Sequence, residues 1–155
     1  MINIRQILVA TDFGESSKAA VQQATELAEA FHARLDVLHV VEEPYGYVGN
    51  THGFIPEVDA FRESLNNAAR AQLQQVLTAD EVQRWQARLS LRTGTPYAEI
   101  VRFAKDTGVD MIVMGTHGRG PLLHMLLGSV AEKVVRYAHC PVLTVPPPNV
   151  EFPST

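Results

Sequence analysis

Apolar residues along this chain fall into two alternating patterns: short unbroken runs, and stripes spaced three or four residues apart. The first run is Ile7, Leu8, Val9 and Ala10. An unbroken run of this length suits a strand covered on both faces, as in the middle of a parallel sheet. Thr11, Asp12, Phe13 and Gly14 interrupt it, and Ala20, Ala24, Leu27 and Phe31 then mark the inner stripe of a helix. Residues 35–41 form a second, mostly buried strand. Residues 42–56 are punctuated by Pro44, Gly46, Gly49, Gly53 and Pro56 and read as a loop, long enough to be functional. From Glu57 a long amphipathic helix carries Val58, Phe61, Leu65, Ala68, Gln72 and Val76 on one stripe. Thr78 with Glu81 spells a capping box opening a short turn that bears Trp85.

Residues 87–93 alternate polar and apolar, the mark of a half-exposed third strand. Gly94 and Pro96 introduce a helix with Ile100, Val101 and Ala104 inward, ending near Gly108. Residues 110–114 are a fourth strand, apolar after its first residue. A helix over about 129–138 and a fifth strand over 141–145, closed by Pro146, Pro147 and Pro148, complete the chain. Five strand–helix alternations predict an α/β fold with a parallel sheet and helices on both faces. The unbroken strands belong in the middle and the alternating third at an edge, which gives the order 3-2-1-4-5. Ligands bind such sheets beside the point where the order reverses, at the carboxyl ends of the strands. Here that point joins Thr11 and Asp12 to the segment after Met114. Residues 1–146 are expected to form one domain, with 147–155 a short proline-rich tail.

Composition narrows the classes. Thirteen Lys and Arg against seventeen Asp and Glu give a net charge of −4, against a basic nucleic-acid footprint. Cys140 is the only cysteine, which excludes an intrachain disulfide framework and a paired-thiolate zinc site. No apolar run reaches the roughly 20 residues of a membrane span, and the first residues lack a leader pattern. The expectation is a soluble cytoplasmic protein with no membrane or nucleic-acid partner and no metal site.

The chemistry gathers in Gly115, Thr116, His117, Gly118, Arg119, Gly120 and Pro121, followed at Gly128, Ser129 and Val130 by a helix start. Closely spaced glycines let backbone bend tightly and approach a ligand. A helix N-terminus offers unpaired N–H groups to an anion, and Arg119 adds a forked donor suited to phosphate. Asp12 faces them with a carboxylate able to accept from ribose hydroxyls or hold a metal ion. Neither the Walker pattern nor G-x-G-x-x-G is present, which leaves a P-loop NTPase and a Rossmann dehydrogenase unsupported. Simpler readings compete: the glycines permit a tight connection, Asp12 fixes the turn into the first helix, and Ser129 with Glu132 forms a capping box. Of the six histidines only His117 is placed in the cleft; His32, His39, His52, His124 and His139 are assigned to packing or surface. Cys140 reads as a buried small residue, Leu122 to Leu127 as core or seam cover, and Tyr45, Tyr47 and Phe54 as loop packing or a lid over a base.

The spacing G-x2-G-x9-G-S over Gly115, Gly118, Gly128 and Ser129 resembles the signature of the ATP-binding branch of the universal stress protein family. The resemblance runs through Ile7 to Asp12, Leu38-His39-Val40, Gly94-Thr95-Pro96, Val109 to Gly115 and Cys140 to Val145. It implies ATP as ligand, with or without Mg2+. Asp12, beside Thr11, would meet the ribose, and the backbone of Val40 the adenine. Met114, Gly115, His117, Gly118 and Arg119 would line the nucleotide, and Gly128, Ser129 and Val130 hold its phosphates. It further implies a homodimer through strand 142–145 and a regulatory role in stress response. Without a Walker lysine or paired carboxylates, hydrolysis is expected to be slow at most and the protein not a dedicated enzyme. The alternative is a dimeric interaction module with a vestigial cleft that recruits a protein through loop 42–56; an adenylyl- or phosphoryl-transfer enzyme ranks third.

Overall fold

A computed structural model describes residues 1–43, 56–117 and 127–149. The elements are β1 (Gln6–Ala10), α1 (Glu15–Phe31), β2 (Arg34–Val41), α2 (Pro56–Leu73), α3 (Ala79–Arg84), β3 (Arg88–Thr93), α4 (Pro96–Thr107), β4 (Met111–Gly115), α5 (Ser129–Tyr137) and β5 (Val142–Val145). All pairings are parallel and the order is β3-β2-β1-β4-β5, as the strand patterns require. Every residue of β1 is buried and none of β3 is.

The period of two along each strand splits the core into two layers. On one face Ile7, Val9, Leu35, Val37 and Val113 pack against Ala20, Ala24 and Ala28 of α1 and against Leu73 and Leu77. On the other, Leu8, Leu38, Ile112 and Met114 meet Ile100, Phe103 and Ala104 of α4 and Ala131 and Val134 of α5. Small residues on α1 let that helix lie close to the sheet. Side chains such as Ile7, Leu8 and Ile112, wholly buried, contribute about 1.5–3 kcal/mol each.

Two helix stripes differ from expectation. Phe31, the last residue of α1, is 41% exposed, because the buried line passes through Val21 and Ala28 instead. On α2 the buried line is Ala69 and Leu73, continued by Leu77, while Phe61 is 49% exposed. Leu65, Ala68 and Gln72 line a cavity rather than entering the core. The capping box is present: Thr78 Oγ1 accepts from the Glu81 N–H and the Glu81 carboxylate accepts from the Thr78 N–H.

Polar groups at the amino ends of the strands are closely paired. Asp36, fully buried in β2, accepts from Gln6 Nε2 at 2.6 Å and from Arg88 Nε at 2.7 Å. Arg34 Nη2 closes the chain on Gln6 Oε1 at 2.7 Å. Asp110 Oδ2 accepts from the backbone N–H groups of Arg5 and Gln6, which ties the entry of β4 to that of β1. Cys140 is half-buried before β5, and burial first, then the negative charge of Asp110, pushes its thiol pKa up.

Asp36→Ala leaves Gln6 Nε2 without its acceptor inside the protein, whereas the half-exposed Arg88 turns to water. The expected loss is about 2 kcal/mol, read as a lower urea midpoint with an unchanged m value. A loss within error of zero contradicts this assignment. Cys140 in the native chain should react with Ellman's reagent about tenfold slower at pH 8 than in the urea-unfolded chain. Equal rates would show an accessible thiol of ordinary acidity.

Candidate functional site

A cavity of about 520 Å³ opens at the carboxyl ends of β1, β2 and β4, where the strand order reverses. Its walls come from Ala10 to Phe13, from Leu38 to Glu42, from α2 and α4, and from Met114 to His117 with Gly128 to Ala131. A groove of about 600 Å³ lies at the opposite ends of the strands. Size alone favours the groove, but much of its polar lining is engaged: Arg84 grips Glu29 with two hydrogen bonds and Asp110 holds backbone donors. The carboxyl-end cavity instead combines apolar walls with unmatched polar groups, the composition of a ligand site.

The first of these groups arises where the β1–β2 ladder stops. The last rung is the Thr11 N–H donating to the Leu38 carbonyl at 2.9 Å. One rung further, the Val40 N–H would take the Thr11 carbonyl, but His39 Nδ1–H donates to that oxygen at 2.7 Å. In a strand, residues two apart direct their peptide groups to the same side. Val40 therefore turns its N–H and C=O toward the β1 side, past the end of β1, with no backbone partner among the described residues. The His39 ring stacks on Phe13 at 4.3 Å, and Phe13 holds a left-handed φ of 66° that a bulky side chain rarely adopts. His39 thus belongs to the cleft wall, which corrects its assignment to packing or surface; the sequence shows no spacing that marks it.

Asp12 stands beside this edge. Its Oδ1 accepts from the Gly14 N–H and from Ser17 Oγ, each at 2.8 Å. The turn-fixing role is thus carried by one oxygen. Oδ1 fixes the turn into α1, while Oδ2 has no hydrogen bond to a described residue. Thr11 is buried and its hydroxyl serves the turn, accepting from the Phe13 N–H and bonding Ser17 Oγ.

Across the cleft, Met114 is buried and Gly115 ends β4. A Cβ on Gly115 would stand 2.4 Å from Ser16 Oγ, so a side chain of α1 requires this glycine. Thr116 donates its N–H to the Val145 carbonyl and accepts from the Gly128 N–H at 2.6 Å. His117 lines the cavity, with Nδ1 2.7 Å from Thr116 Oγ1. Gly128 is the N-cap of α5 and no side chain caps it. The box expected from Ser129 and Glu132 is absent: Glu132 gives its N–H to the Gly128 carbonyl and turns its carboxylate to Arg136, 3.1 Å away. The N–H groups of Ser129, Val130 and Ala131 are left without intrahelical partners at the positive end of the helix dipole.

Gly118, Arg119, Gly120 and residues 121–126 lie outside the described residues, as do Tyr45, Tyr47 and Phe54. Among the described residues no group of three His, Cys, Asp or Glu side chains could hold a metal ion. No described helix is long and apolar enough to cross a membrane. Two side chains that the sequence reading did not single out are buried here, Ser17 in the cavity wall and Ser16 behind Gly115 and His117; consecutive serines opening a helix are the one signal they leave.

Residues 3–146 match the model of the universal stress protein family. Universal stress protein MJ0531 of Methanocaldococcus jannaschii is 34% identical over 150 residues, covering 95% of this chain and 85% of the relative. MJ0577 of the same organism is 30% identical over 152 residues, covering 91% of this chain and 94% of the relative. The solved MJ0577 structure superposes with a TM-score of 0.75 at 28% identity, covering 96% of this chain and 100% of that one. The Archaeoglobus fulgidus universal stress protein solved in complex with dAMP shares the fold at a TM-score of 0.58 and 21% identity, covering 93% of this chain and 99% of that one. Matched from strand β1 through β5 by one family model, and by a relative above 30% identity along nearly its full length, this chain belongs to the universal stress protein family.

Proposed function

We propose that this chain binds ATP, with or without Mg2+, in the carboxyl-end cleft and acts as a regulatory protein in the cytoplasmic stress response. The observation that carries the reading is the N–H and C=O of Val40, without backbone partners among the described residues, which share one cavity with the uncapped start of α5. A donor beside an acceptor on one peptide edge complements adenine, which offers N1 as acceptor and its amino group as donor. Guanine in the same pose sets O6 against the Val40 carbonyl and its N1–H against the N–H. Asp12 Oδ2 then takes ribose hydroxyls, and the N–H groups of Ser129 and Val130 take phosphate. By the family resemblance Gly118 and Arg119 complete the phosphate side. The dAMP complex of the Archaeoglobus protein is consistent with an adenine nucleotide in this fold. Without a Walker lysine, hydrolysis is expected to be slow at most.

The same reading takes the chain to be a dimer. The Ile112 N–H donates to the Pro141 carbonyl and the Thr116 N–H to that of Val145. Alternate residues of β5 thus face β4, leaving the peptide groups of Val142 and Thr144 at the sheet edge. Pro141 and Pro146 bracket this short edge. A second copy running antiparallel about Leu143, itself 38% exposed, satisfies all four groups.

Calorimetry should show ATP binding, with GTP at least about tenfold weaker because its edge leaves two polar groups mismatched. Absence of ATP binding, with and without magnesium, defeats the reading; equal affinity for GTP removes Val40 as the base reader. Leu143→Arg should sediment as a monomer at concentrations where the parent chain is a dimer. Persistence of the dimer would move the interface elsewhere.

A further inference from the structure

We propose that the two buried hydroxyls of the first turn of α1, Ser16 and Ser17, are positioning residues that divide the cleft between them. Ser17 aims Asp12 at the sugar, and Ser16 sets the phosphate side. The inference rests on the nucleotide reading above and adds to it which groups hold the binding atoms in place.

Ser17 is 4% exposed, and four polar groups surround its Oγ. The Phe13 N–H donates to Thr11 Oγ1 at 3.0 Å, which directs the Thr11 hydroxyl proton toward Ser17 Oγ at 3.1 Å. Ser17 Oγ also accepts from the Asp12 N–H at 3.3 Å. With its acceptor side filled, Ser17 has one proton to give. The Asp12 carboxylate at 2.8 Å is a stronger acceptor than the Gly14 carbonyl at 3.0 Å, which already receives the Lys18 N–H. The proton therefore goes to Asp12 Oδ1, and the chain of aligned hydroxyls strengthens that bond. Held at Oδ1 by Ser17 and Gly14, the carboxylate is fixed in rotation and Oδ2 is left for a ligand.

Ser16, 6% exposed, points the other way. Its Oγ donates to the Val145 carbonyl at 3.2 Å and accepts from the His117 N–H at 3.4 Å. The Val145 carbonyl also holds the Thr116 N–H, and the Thr116 carbonyl holds the Gly128 N–H. One hydroxyl thereby clamps the peptide from which the start of α5 hangs. The absence of a Cβ at Gly115 is what lets it reach in.

A double dissociation tests the division. Affinities of the full chain and of its Ser17→Ala and Ser16→Ala variants are measured by calorimetry for ATP, 2′,3′-dideoxy-ATP and adenosine. The ATP to dideoxy-ATP ratio reads the sugar contacts, and the ATP to adenosine ratio reads the phosphate contacts. Ratios taken within one variant cancel a general loss of stability. Ser17→Ala should lower the first ratio about tenfold and leave the second within about twofold. Ser16→Ala should do the reverse. Should an alanine variant fail to fold, Ser16→Cys and Ser17→Cys, which retain a weak donor of similar size, are read by the same ratios. Variants that change both ratios alike, or neither, overturn the division of labour while ATP binding by the parent chain stands. A parent chain that binds no ATP overturns the nucleotide reading, and this one with it, before any variant is made.

Discussion

The hydrogen bond from His39 Nδ1 to the Thr11 carbonyl sets the character of the cleft. Two parallel strands continue their ladder as long as each carbonyl finds the next N–H. Here a side chain takes the carbonyl first, and the ladder ends with the peptide groups of Val40 lacking a backbone partner among the described residues. The aromatic stack of His39 on Phe13 braces the exchange, and the left-handed backbone at Phe13 is the local strain that accompanies it. Backbone strain of this kind, of order 1–3 kcal/mol, persists only where surrounding contacts over-determine it. The Asp12, Thr11 and Ser17 network around the same turn supplies them.

The two ends of the sheet treat polar groups in opposite ways. At the amino ends, Asp36, Gln6, Arg34 and Arg88 form one connected set, and Asp110 holds the backbone of Arg5 and Gln6. Helices also finish at that end, with their last carbonyls taken up at His32 and Gly108. At the carboxyl ends, α5 begins with no side-chain cap and the Val40 edge is unmatched among the described residues. Parallel topology makes this asymmetry general, since each helix following a strand starts at the carboxyl end and brings its positive pole there. The groove at the amino ends is lined by side chains that mostly hold one another, whereas the carboxyl-end cavity gathers the uncapped helix start and the Val40 edge.

The backbone class of the protein was legible along the chain. Unbroken apolar runs at 7–10 and 111–114 and alternation at 87–93 place central and edge strands, because burial on one face or two leaves a direct record in residue type. Thr78 and Glu81 record their capping box for the same reason: both partners lie within one turn. The α2 stripe was misread at Leu65, Ala68 and Gln72, because a helix wall facing a cavity and one facing a core carry similar patterns, and at Phe61, which is exposed. Ser129 and Glu132 have capping spacing too, yet Gly128 takes the cap position and Arg136 takes the carboxylate.

For the cleft, the sequence determined its place and several of its polar groups: a carboxylate at position 12, a helix start at 128–130, and a reversal of strand order between them. Tertiary structure alone decided how those groups are presented. The bonds of His39 to Thr11, and of Ser16 to Val145 and His117, join residues 28, 129 and 101 positions apart. Short-range patterns reflect the period of a helix or strand, whereas a single hydroxyl or imidazole proton is assigned only when distant acceptors compete for it in space.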